Sequence, residues 1–432
     1  MRFVSTRGQA PAVSLPQAIA AGLAADGGLY MPQHLPVLNL RHFRDVQTPP
    51  AVTARLLEPF FADLPLQAAL QDICNEALQQ PLPLRTMDTP GDYLLELFHG
   101  PTLAFKDIGA RFLAASLARL RPPAGALQTI LVATSGDTGA AVAAAFYKVP
   151  GFRVVILYPQ GRIAPRQAHQ LGAFGENVLA LCVEGSFDDC QRMVKSALQN
   201  AGPDRPLSSA NSISLGRLLP QMGYYAWAAL QHQREYQRLL SFVIPTGNLG
   251  NALACVLARQ MGLPIGKIVL ATNANDVLPR FFAGGSYVPQ TSQPTLANAM
   301  DVGAPSNFER LRWLYGDDML LRRGLSAYAV SDAVIREVIK ASATHTAPPP
   351  CPHTATALQV LSQLRKQGDT RDYAVVATAH AAKFAEVIEP LVGHAIDTPS
   401  PLQQLLSRPT ESEPMIAQDT ALQQRLLRLA AH

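Results

Sequence analysis

Runs of β-branched and other apolar residues alternate with helix-like stretches along most of the chain after residue 90. The runs are YLLEL (93–97), TILVA (129–133), RVVILY (153–158), NVLALCV (177–183), SFVIP (241–245), KIVLA (267–271) and YAVVA (373–377). Strands that are almost continuously apolar are typical of parallel sheets covered by helices on both faces. The alternation therefore predicts an α/β fold.

The two ends of the chain have a different character. Residues 1–90 carry helix-spaced apolar residues in LPQAIAAGLA and VTARLLEPFFADL, separated by loop-like segments, and we predict a separate N-terminal unit there. The segment PMIAQDTALQQRLLRLA (414–430) predicts a C-terminal amphipathic helix. A chain of 432 residues, 48% of them hydrophobic, is long enough for two or three units with substantial cores.

The composition argues against several classes of partner. The formal net charge is only +4 and no block of Lys and Arg concentrates it, so we expect neither nucleic acid nor a membrane surface as a partner. Five cysteines without C-x-x-C spacing indicate neither a disulfide framework nor a zinc site, so we expect no metal and a cytoplasmic location. A small-molecule partner fits this composition best.

Three strand-to-helix turns carry polar side chains. Parallel sheets bind ligands beyond the carboxyl ends of their strands, which makes these turns the candidate site. TSGDTG (134–139) follows TILVA, TGNLGN (246–251) follows SFVIP, and TAH (378–380) follows YAVVA. A single glycine turn is usually only a tight connection, but two that open helices with hydroxyl and amide side chains indicate anion binding. Neither turn matches a nucleotide fingerprint, so two separate phosphates suit the pattern better than a dinucleotide.

Lysine is scarce in this chain, with only seven among 36 basic residues, and Lys106 stands out. It lies in HGPTLAFKD, between a strand and an apolar helix. Partial burial there lowers the pKa of an amine and makes it a nucleophile toward a carbonyl, which is Schiff-base chemistry. A helix-entry lysine paired with Asp107 explains the same segment equally well. We expect the remaining lysines to be exposed: Lys148, Lys195, Lys267, Lys340, Lys366 and Lys383.

The segment NSISLGR (211–217) leads into a long predicted helix. Asn211 and Ser212 can cap that helix, and capping alone explains them. Arg217 is not required for capping, and its planar guanidinium is suited to phosphate. A solvated arginine on a helix face is the simpler alternative.

These segments together resemble the threonine synthase family, in its long bacterial and fungal branch. The matching runs are FVSTRG, AADGGLYMP, FHGPTLAFKD, TSGDTGAA, NSIS with RLLPQ, PTGNLGN and TAHAAKF. The resemblance implies fold type II of the pyridoxal 5′-phosphate (PLP) enzymes, the tryptophan synthase β-like fold. It implies two parallel-sheet domains and a mostly helical N-terminal domain. The expected division is 1–90 for the N-terminal domain, 91–125 with 236–432 for the large PLP-binding domain, and 126–235 for a small mobile domain.

The resemblance also implies roles for individual residues. Lys106 corresponds to the lysine that forms a Schiff base with PLP and moves protons. Asp137 corresponds to a contact of the phenolic oxygen of the PLP ring, and Thr378 to a contact of the pyridine nitrogen. The implied phosphate-binding residues are Gly247, Asn248, Leu249, Gly250 and Asn251. The implied substrate-binding residues are Thr134, Ser135, Thr138, Asn211, Ser212 and Arg217.

The implied reaction converts O-phospho-L-homoserine and water to L-threonine and phosphate. A PLP-dependent phospho-lyase or a serine/threonine dehydratase remains an alternative, as does a nicotinamide-dependent oxidoreductase or a non-catalytic binding protein. The chain departs from the family pattern at Leu249, where Phe is frequent, and at Ala381, where Pro is frequent. Cys351 stands where relatives often have an acidic residue, and we assign it no role. The sequence leaves a monomer and a homodimer both open.

Overall fold

The computed structural model describes residues 1–121, 127–202, 206–342 and 348–430. The strands are β1 (Phe3–Ser5), β2 (Tyr30–Pro32), β3 (Leu84–Thr86), β4 (Asp92–Glu96), β5 (Gln128–Ala133), β6 (Phe152–Pro159), β7 (Val178–Glu184), β8 (Leu207–Ser209), β9 (Leu240–Pro245), β10 (Ile265–Thr272), β11 (Ser326–Ala329), β12 (Tyr373–Ala377) and β13 (Glu413–Ile416). Each apolar run named above lies on one of these strands, so the predicted α/β fold is confirmed.

The helices surround these strands. They are α1 (Leu15–Ala21), α2 (Pro49–Phe61), α3 (Leu70–Ala77), α4 (Lys106–Leu120), α5 (Asp137–Phe146), α6 (Pro165–Gly172), α7 (Phe187–Gln199), α8 (Leu215–Leu218), α9 (Gln221–Tyr236), α10 (Gly250–Gln260), α11 (Val277–Phe282), α12 (Phe308–Tyr315), α13 (Asp318–Gly324), α14 (Asp332–Ser342), α15 (Pro352–Lys366), α16 (Ala385–Val392), α17 (Ser400–Leu406) and α18 (Asp419–Ala430). Short 3-10 helices span Leu40–Phe43, Asn298–Met300 and Ala381–Phe384.

A six-stranded sheet forms the larger half of the fold. Its strand order is β11-β10-β9-β12-β4-β3, and its strands are parallel except β3, which pairs antiparallel with β4. Strands β4, β12 and β9 are direct neighbours and all run in the same direction. Their carboxyl ends therefore meet at one edge, where the turns after them lie close together.

A five-stranded parallel sheet forms the smaller half, with strand order β13-β7-β6-β5-β8. Strand β5 is next to β8, so the turn that opens α5 lies beside the segment that follows β8. Strand β13 was not predicted, because the sequence pattern indicated a helix from Pro414. Residues 413–416 instead pair with β7, which satisfies the backbone groups of a strand that would otherwise form the sheet edge.

The N-terminal unit packs directly on the larger half. Strands β1 and β2 pair antiparallel, α2 packs against α9, and α3 packs against α4. Phe61 of α2 and Phe112 of α4 meet edge to face, with ring centroids 6.2 Å apart. Both are buried in one continuous apolar core, so the unit anchors the helix that begins with Lys106.

Candidate active site

The loop after β4 places Lys106 at the first position of α4. This loop is attached to the turn after β12, because the backbone N–H of Phe105 donates to the carbonyl of Thr378 at 2.9 Å. Asp107 does not pair with Lys106: its carboxylate accepts hydrogen bonds from the hydroxyl of Thr102 at 2.5 Å and from the Thr102 N–H at 3.0 Å. The helix-entry explanation of Lys106 is therefore wrong.

The environment of Lys106 shifts its protonation equilibrium toward the neutral amine. Burial lowers the pKa of Lys106 to about 8, with Asp137 opposing the decrease and the positive charges of Arg217 and Lys383 adding to it. The side chain is only partly buried, because it faces a cavity. The lowered pKa gives Lys106 a larger neutral fraction near neutral pH than an ordinary lysine has, which suits both nucleophilic attack and proton transfer.

The turn between β9 and α10 forms the second wall of the cavity. The hydroxyl of Thr246 donates to Oδ1 of Asn251 at 2.9 Å, and Nδ2 of Asn251 donates to the carbonyl of Pro245 at 3.1 Å, so the turn is braced from inside. A Cβ at Gly247 would lie 2.7 Å from Cα of Met300, so no side chain fits there. Helix α10 begins at Gly250, and the free N–H groups of its first turn favour an anion.

The turn between β5 and α5 forms the third wall. Ser135, Asp137 and Thr138 line the cavity. Thr134 does not: its hydroxyl accepts from the backbone N–H groups of Gly136 at 3.0 Å and Gly139 at 2.9 Å. Thr134 therefore stabilises the turn, and its position does not support the substrate contact that the resemblance implied.

Arg217 lies at the cavity with almost no solvent exposure. Its Nη1 donates to the carbonyl of Ala210 at 2.7 Å, whereas its Nε is buried without a hydrogen-bond partner in the described part of the chain. Across residues 1–121, 127–202, 206–342 and 348–430, no carboxylate forms a salt bridge with it. A buried guanidinium with a free donor is costly unless an anion binds there.

The segment after β8 supports the same wall. Oδ1 of Asn211 accepts from the backbone N–H of Ala133 at 3.0 Å, which joins the β8 and β5 turns. The hydroxyl of Ser212 accepts from Nδ2 of Asn248 at 2.9 Å, which joins that segment to the glycine turn of the larger sheet. The predicted site residues other than Thr134 thus line a single cavity: Lys106, Ser135, Asp137, Thr138, Asn211, Ser212, Arg217, Gly247, Asn248, Leu249, Gly250, Asn251 and Thr378.

The structure corrects the predicted exposure of the lysines. Lys383 was expected to be exposed, but it is fully buried, and its Nζ lies 2.7 Å from Oδ1 of Asp137. The side chain is buried because the turn after β12 packs against Thr102 and against Asp137 of the other sheet. Lys195 and Lys267 are partly buried, whereas the other expected ones (Lys148, Lys340 and Lys366) are exposed.

Sequence reasoning also missed His353, which lines the cavity. Its Nε2 accepts a hydrogen bond from the backbone N–H of Ala299 at 3.1 Å, and burial lowers its pKa to about 4. The imidazole is therefore neutral near pH 7. His353 lies two residues after Cys351, in a proline-rich segment with no periodic pattern, so the sequence carried little signal for it.

The residues at the cavity fit PLP. The partly buried Lys106 offers an amine for the aldehyde, the glycine turn at Gly247 offers backbone donors for the phosphate, and Thr378 offers a hydroxyl for the ring. The cavity lies where the carboxyl ends of β4, β9 and β12 meet, as ligand sites in parallel sheets do. Fold and site together define a PLP-dependent enzyme of fold type II.

Comparisons with known proteins agree with this enzyme class and identify the family of the chain. The family described as "Pyridoxal-phosphate dependent enzyme" matches residues 88–381. "Threonine synthase N terminus" matches residues 2–78, and "Threonine synthase, C-terminal" matches residues 354–426. Threonine synthase of Escherichia coli (strain K12) is 36% identical over 434 residues, covering 99% of both chains.

Two solved structures are similar over the whole chain. The crystal structure of Escherichia coli threonine synthase has a TM-score of 0.92 at 36% identity, covering 99% of this chain and all of that one. PLP-bound threonine synthase from Brucella melitensis has a TM-score of 0.88 at 33% identity, with 100% of both chains covered. The chain belongs to the threonine synthase family.

Two features are absent from the described residues. No helix in the described ranges combines the length and the apolar character that crossing a membrane requires. The same residues contain no group of three or more His, Cys, Asp and Glu side chains able to hold a metal ion.

Proposed function

We propose that this chain is a PLP-dependent lyase that converts O-phospho-L-homoserine and water to L-threonine and phosphate. The observation that carries the proposal is Arg217, a buried guanidinium with an unsatisfied Nε on the wall of the cavity that holds Lys106. An unphosphorylated hydroxyamino acid would leave that charge without a partner. A phosphate ester would neutralise it, so the arginine favours this substrate over that of a serine/threonine dehydratase.

The residues that bind the substrate are proposed from their positions. Arg217 binds the phosphate of the substrate, together with the hydroxyl of Ser212 and the amide of Asn211. Ser135 and Thr138, at the start of α5, bind the substrate carboxylate through hydroxyl and backbone donors. The positive charge of Arg217 also stabilises the negative charge that develops on the leaving phosphate.

The residues that would hold PLP are also proposed from their positions at the cavity. Lys106 would hold PLP through its amine, Gly247 to Asn251 would bind its phosphate, and Thr378 would face its ring nitrogen. When bound, PLP supplies a sink for the negative charge that forms on the substrate carbons. Lys106 takes the proton from the α carbon and returns protons later in the reaction, which its lowered pKa permits.

The domain division, the cellular location and the oligomeric state are proposed together with this function. Residues 126–235 would form a small unit that closes over the substrate against the larger unit of 91–125 and 236–432. Residues 1–90 pack on α4 of the larger unit and on α9, which lies at the end of the smaller one. Strand β13 then belongs to the smaller sheet although it comes late in the chain. We propose a cytoplasmic location and a monomer or homodimer.

The deciding experiment measures both products from O-phospho-L-homoserine. The PLP-loaded protein is expected to release L-threonine and inorganic phosphate in equal amounts. Release of phosphate with 2-oxobutyrate instead of threonine would make it a phospho-lyase. Turnover of L-serine or L-threonine without turnover of the phosphate ester would make it a dehydratase, and a preparation that takes up no PLP would reject the proposal.

A further inference from the structure

A second lysine lies behind the catalytic cavity and is buried in an ion pair. Nζ of Lys383 is 2.7 Å from Oδ1 of Asp137, and the exposed fractions of the two side chains are 0% and 4%. The same Nζ donates to the carbonyl of Thr102 at 2.7 Å. Asp137 also accepts from Nε2 of Gln167 at 2.9 Å. Both charges are therefore held in fixed positions by hydrogen bonds from two directions.

The ion pair connects the two sheets. Asp137 begins α5, directly after the β5 turn of the five-stranded sheet, whereas Lys383 lies in the 3-10 helix that follows β12 of the six-stranded sheet. A second bond crosses nearby, because Nη1 of Arg166 in α6 donates to the carbonyl of Ala382 at 2.8 Å. The Lys383 ammonium thus attaches the start of α5 to the sheet that carries Lys106.

Asp137 has more positive than negative charge around it. Burial acts to raise the pKa of Asp137, but the positive charges of Lys383 and Lys106 outweigh it and hold that pKa well below its ordinary value. His353, which also faces Asp137, is neutral near pH 7. Asp137 is therefore a carboxylate that interacts with two lysines at once. Its negative charge favours the protonated form of Lys106, and the positive charge of Lys383 opposes that form.

Two further charged groups face this cluster. Asp107 interacts with Lys383 and is already bound by Thr102, and Arg217 acts on Lys106 from the opposite wall of the cavity. Both lie outside the ion pair itself. The contribution of the pair can therefore be separated from theirs by changing Lys383 and Asp137 alone.

We propose that Lys383 is a positioning residue: its ammonium, held by Thr102, fixes the Asp137 carboxylate beside Lys106, and the two opposite charges together set the proton affinity of Lys106. The inference rests on the proposed function only in taking Lys106 as the PLP-binding lysine. Lys383 does not line the cavity, so it acts on Lys106 from a distance: it holds the Asp137 carboxylate in place, and its own positive charge opposes the protonation of Lys106.

The test uses the PLP-loaded protein without substrate. The absorbance of the Lys106–PLP linkage is titrated with pH, and the midpoint is compared among variants. Lys383→Met removes a positive charge and is expected to raise the midpoint by about one pH unit, and Asp137→Asn removes a negative charge and is expected to lower it by about as much. The double variant is expected to return close to the wild-type midpoint. Lys366→Met, at an exposed lysine, is the control and should not move it.

Protein stability supplies a second readout on the cofactor-free protein. Each single variant leaves one buried charge without its partner and is expected to lower Tm by several degrees, whereas the double variant recovers most of the loss. If Lys383→Met is too unstable to purify, Lys383→Gln serves instead, because its amide can still donate to Thr102. It is expected to raise the midpoint in the same direction.

Several results would contradict the role proposed for Lys383. A purely structural role lowers Tm in the single variants and leaves every midpoint unchanged. Midpoints that move in the same direction in both single variants, or a double variant that does not return toward the wild type, would also refute it. Because no substrate is present, failure to form threonine would reject the proposed function without affecting this result, and absence of the absorbance would reject Lys106 as the PLP-binding lysine.

Discussion

Replacing Arg217 by Met is expected to weaken substrate binding without lowering the stability of the protein, so the two effects can be measured separately. Burial lowers the pKa of Arg217 from 12.5 to about 10, so the folded protein penalises its charge in the absence of an anion. At about 1.4 kcal/mol per pKa unit, this penalty is on the order of 3 kcal/mol. Methionine removes it and fills similar space. The loss of the hydrogen bond to Ala210, whose buried carbonyl is left unpaired, offsets about 1–3 kcal/mol.

The expected stability change is therefore small and not negative. Tm of the cofactor-free Arg217→Met protein should equal the wild-type value or exceed it by up to a few degrees. Substrate binding should change far more, because loss of one partner of a buried charge pair costs about 2–5 kcal/mol. Since each 1.4 kcal/mol is about tenfold, we expect kcat/KM for O-phospho-L-homoserine to fall on the order of 10² to 10³.

The matched control is Arg310, which is equally buried but fully bonded. Its guanidinium donates to the carbonyls of Tyr30 and Ile213 and to Oδ1 of Asn307 at 2.8–3.2 Å. Burial also lowers the pKa of Arg310, to about 9, which is a penalty on the order of 5 kcal/mol. Arg310→Met leaves three buried acceptors unpaired, at about 1–3 kcal/mol each, so its Tm should fall below that of Arg217→Met.

Thermal denaturation and steady-state kinetics are measured on both variants. With PLP bound, so that the glycine turn at Gly247 is filled, inorganic phosphate should raise Tm of the wild type but not of Arg217→Met. An unchanged KM, or a fall in Tm as large as that of Arg310→Met, would refute the assignment of Arg217 as the residue that binds the substrate phosphate.

Three further results are expected. Lys106→Ala should abolish turnover and the absorbance of the lysine–PLP linkage, and a variant that retains either contradicts the role of Lys106. Gly247→Ala should weaken PLP binding in an equilibrium titration, because its Cβ would lie 2.7 Å from the backbone of Met300. Gly250→Ala is the control and should weaken PLP binding much less, because its Cβ would have no contact under 3.4 Å. His353 is protonated below about pH 6.5 when unfolded but only below about pH 4 when folded, so stability should fall as pH drops through that window. His353→Gln should make this dependence shallower in thermal melts of the cofactor-free protein, and the rest comes from groups such as His380, whose pKa burial also lowers to about 4. An unchanged slope would exclude a contribution from His353.

Much of the fold and of the site was predictable from local patterns. Continuous apolar strands, helix periodicity and glycine turns depend on neighbours in sequence, so they predicted the α/β class and most of the residues that line the cavity. The family motifs around Lys106 and Asp137 added the roles that we propose for those residues. Local patterns failed where partners are distant in sequence: β13 reads as part of a helix, yet residues 413–416 pair with β7.

Burial of polar groups was decided only by the tertiary structure. Nothing local distinguishes Lys383 from an exposed lysine, because its burial arises when the turn after β12 packs against Thr102 and against Asp137 from the other sheet. Sequence alone likewise left the choice between a paired and a free Lys106 open, and the hydrogen bonds from Thr102 to Asp107 settled it. The sequence determined which chemical groups are available. Their charges and partners depend on contacts between segments far apart in the chain, which exist only once the two sheets have packed together.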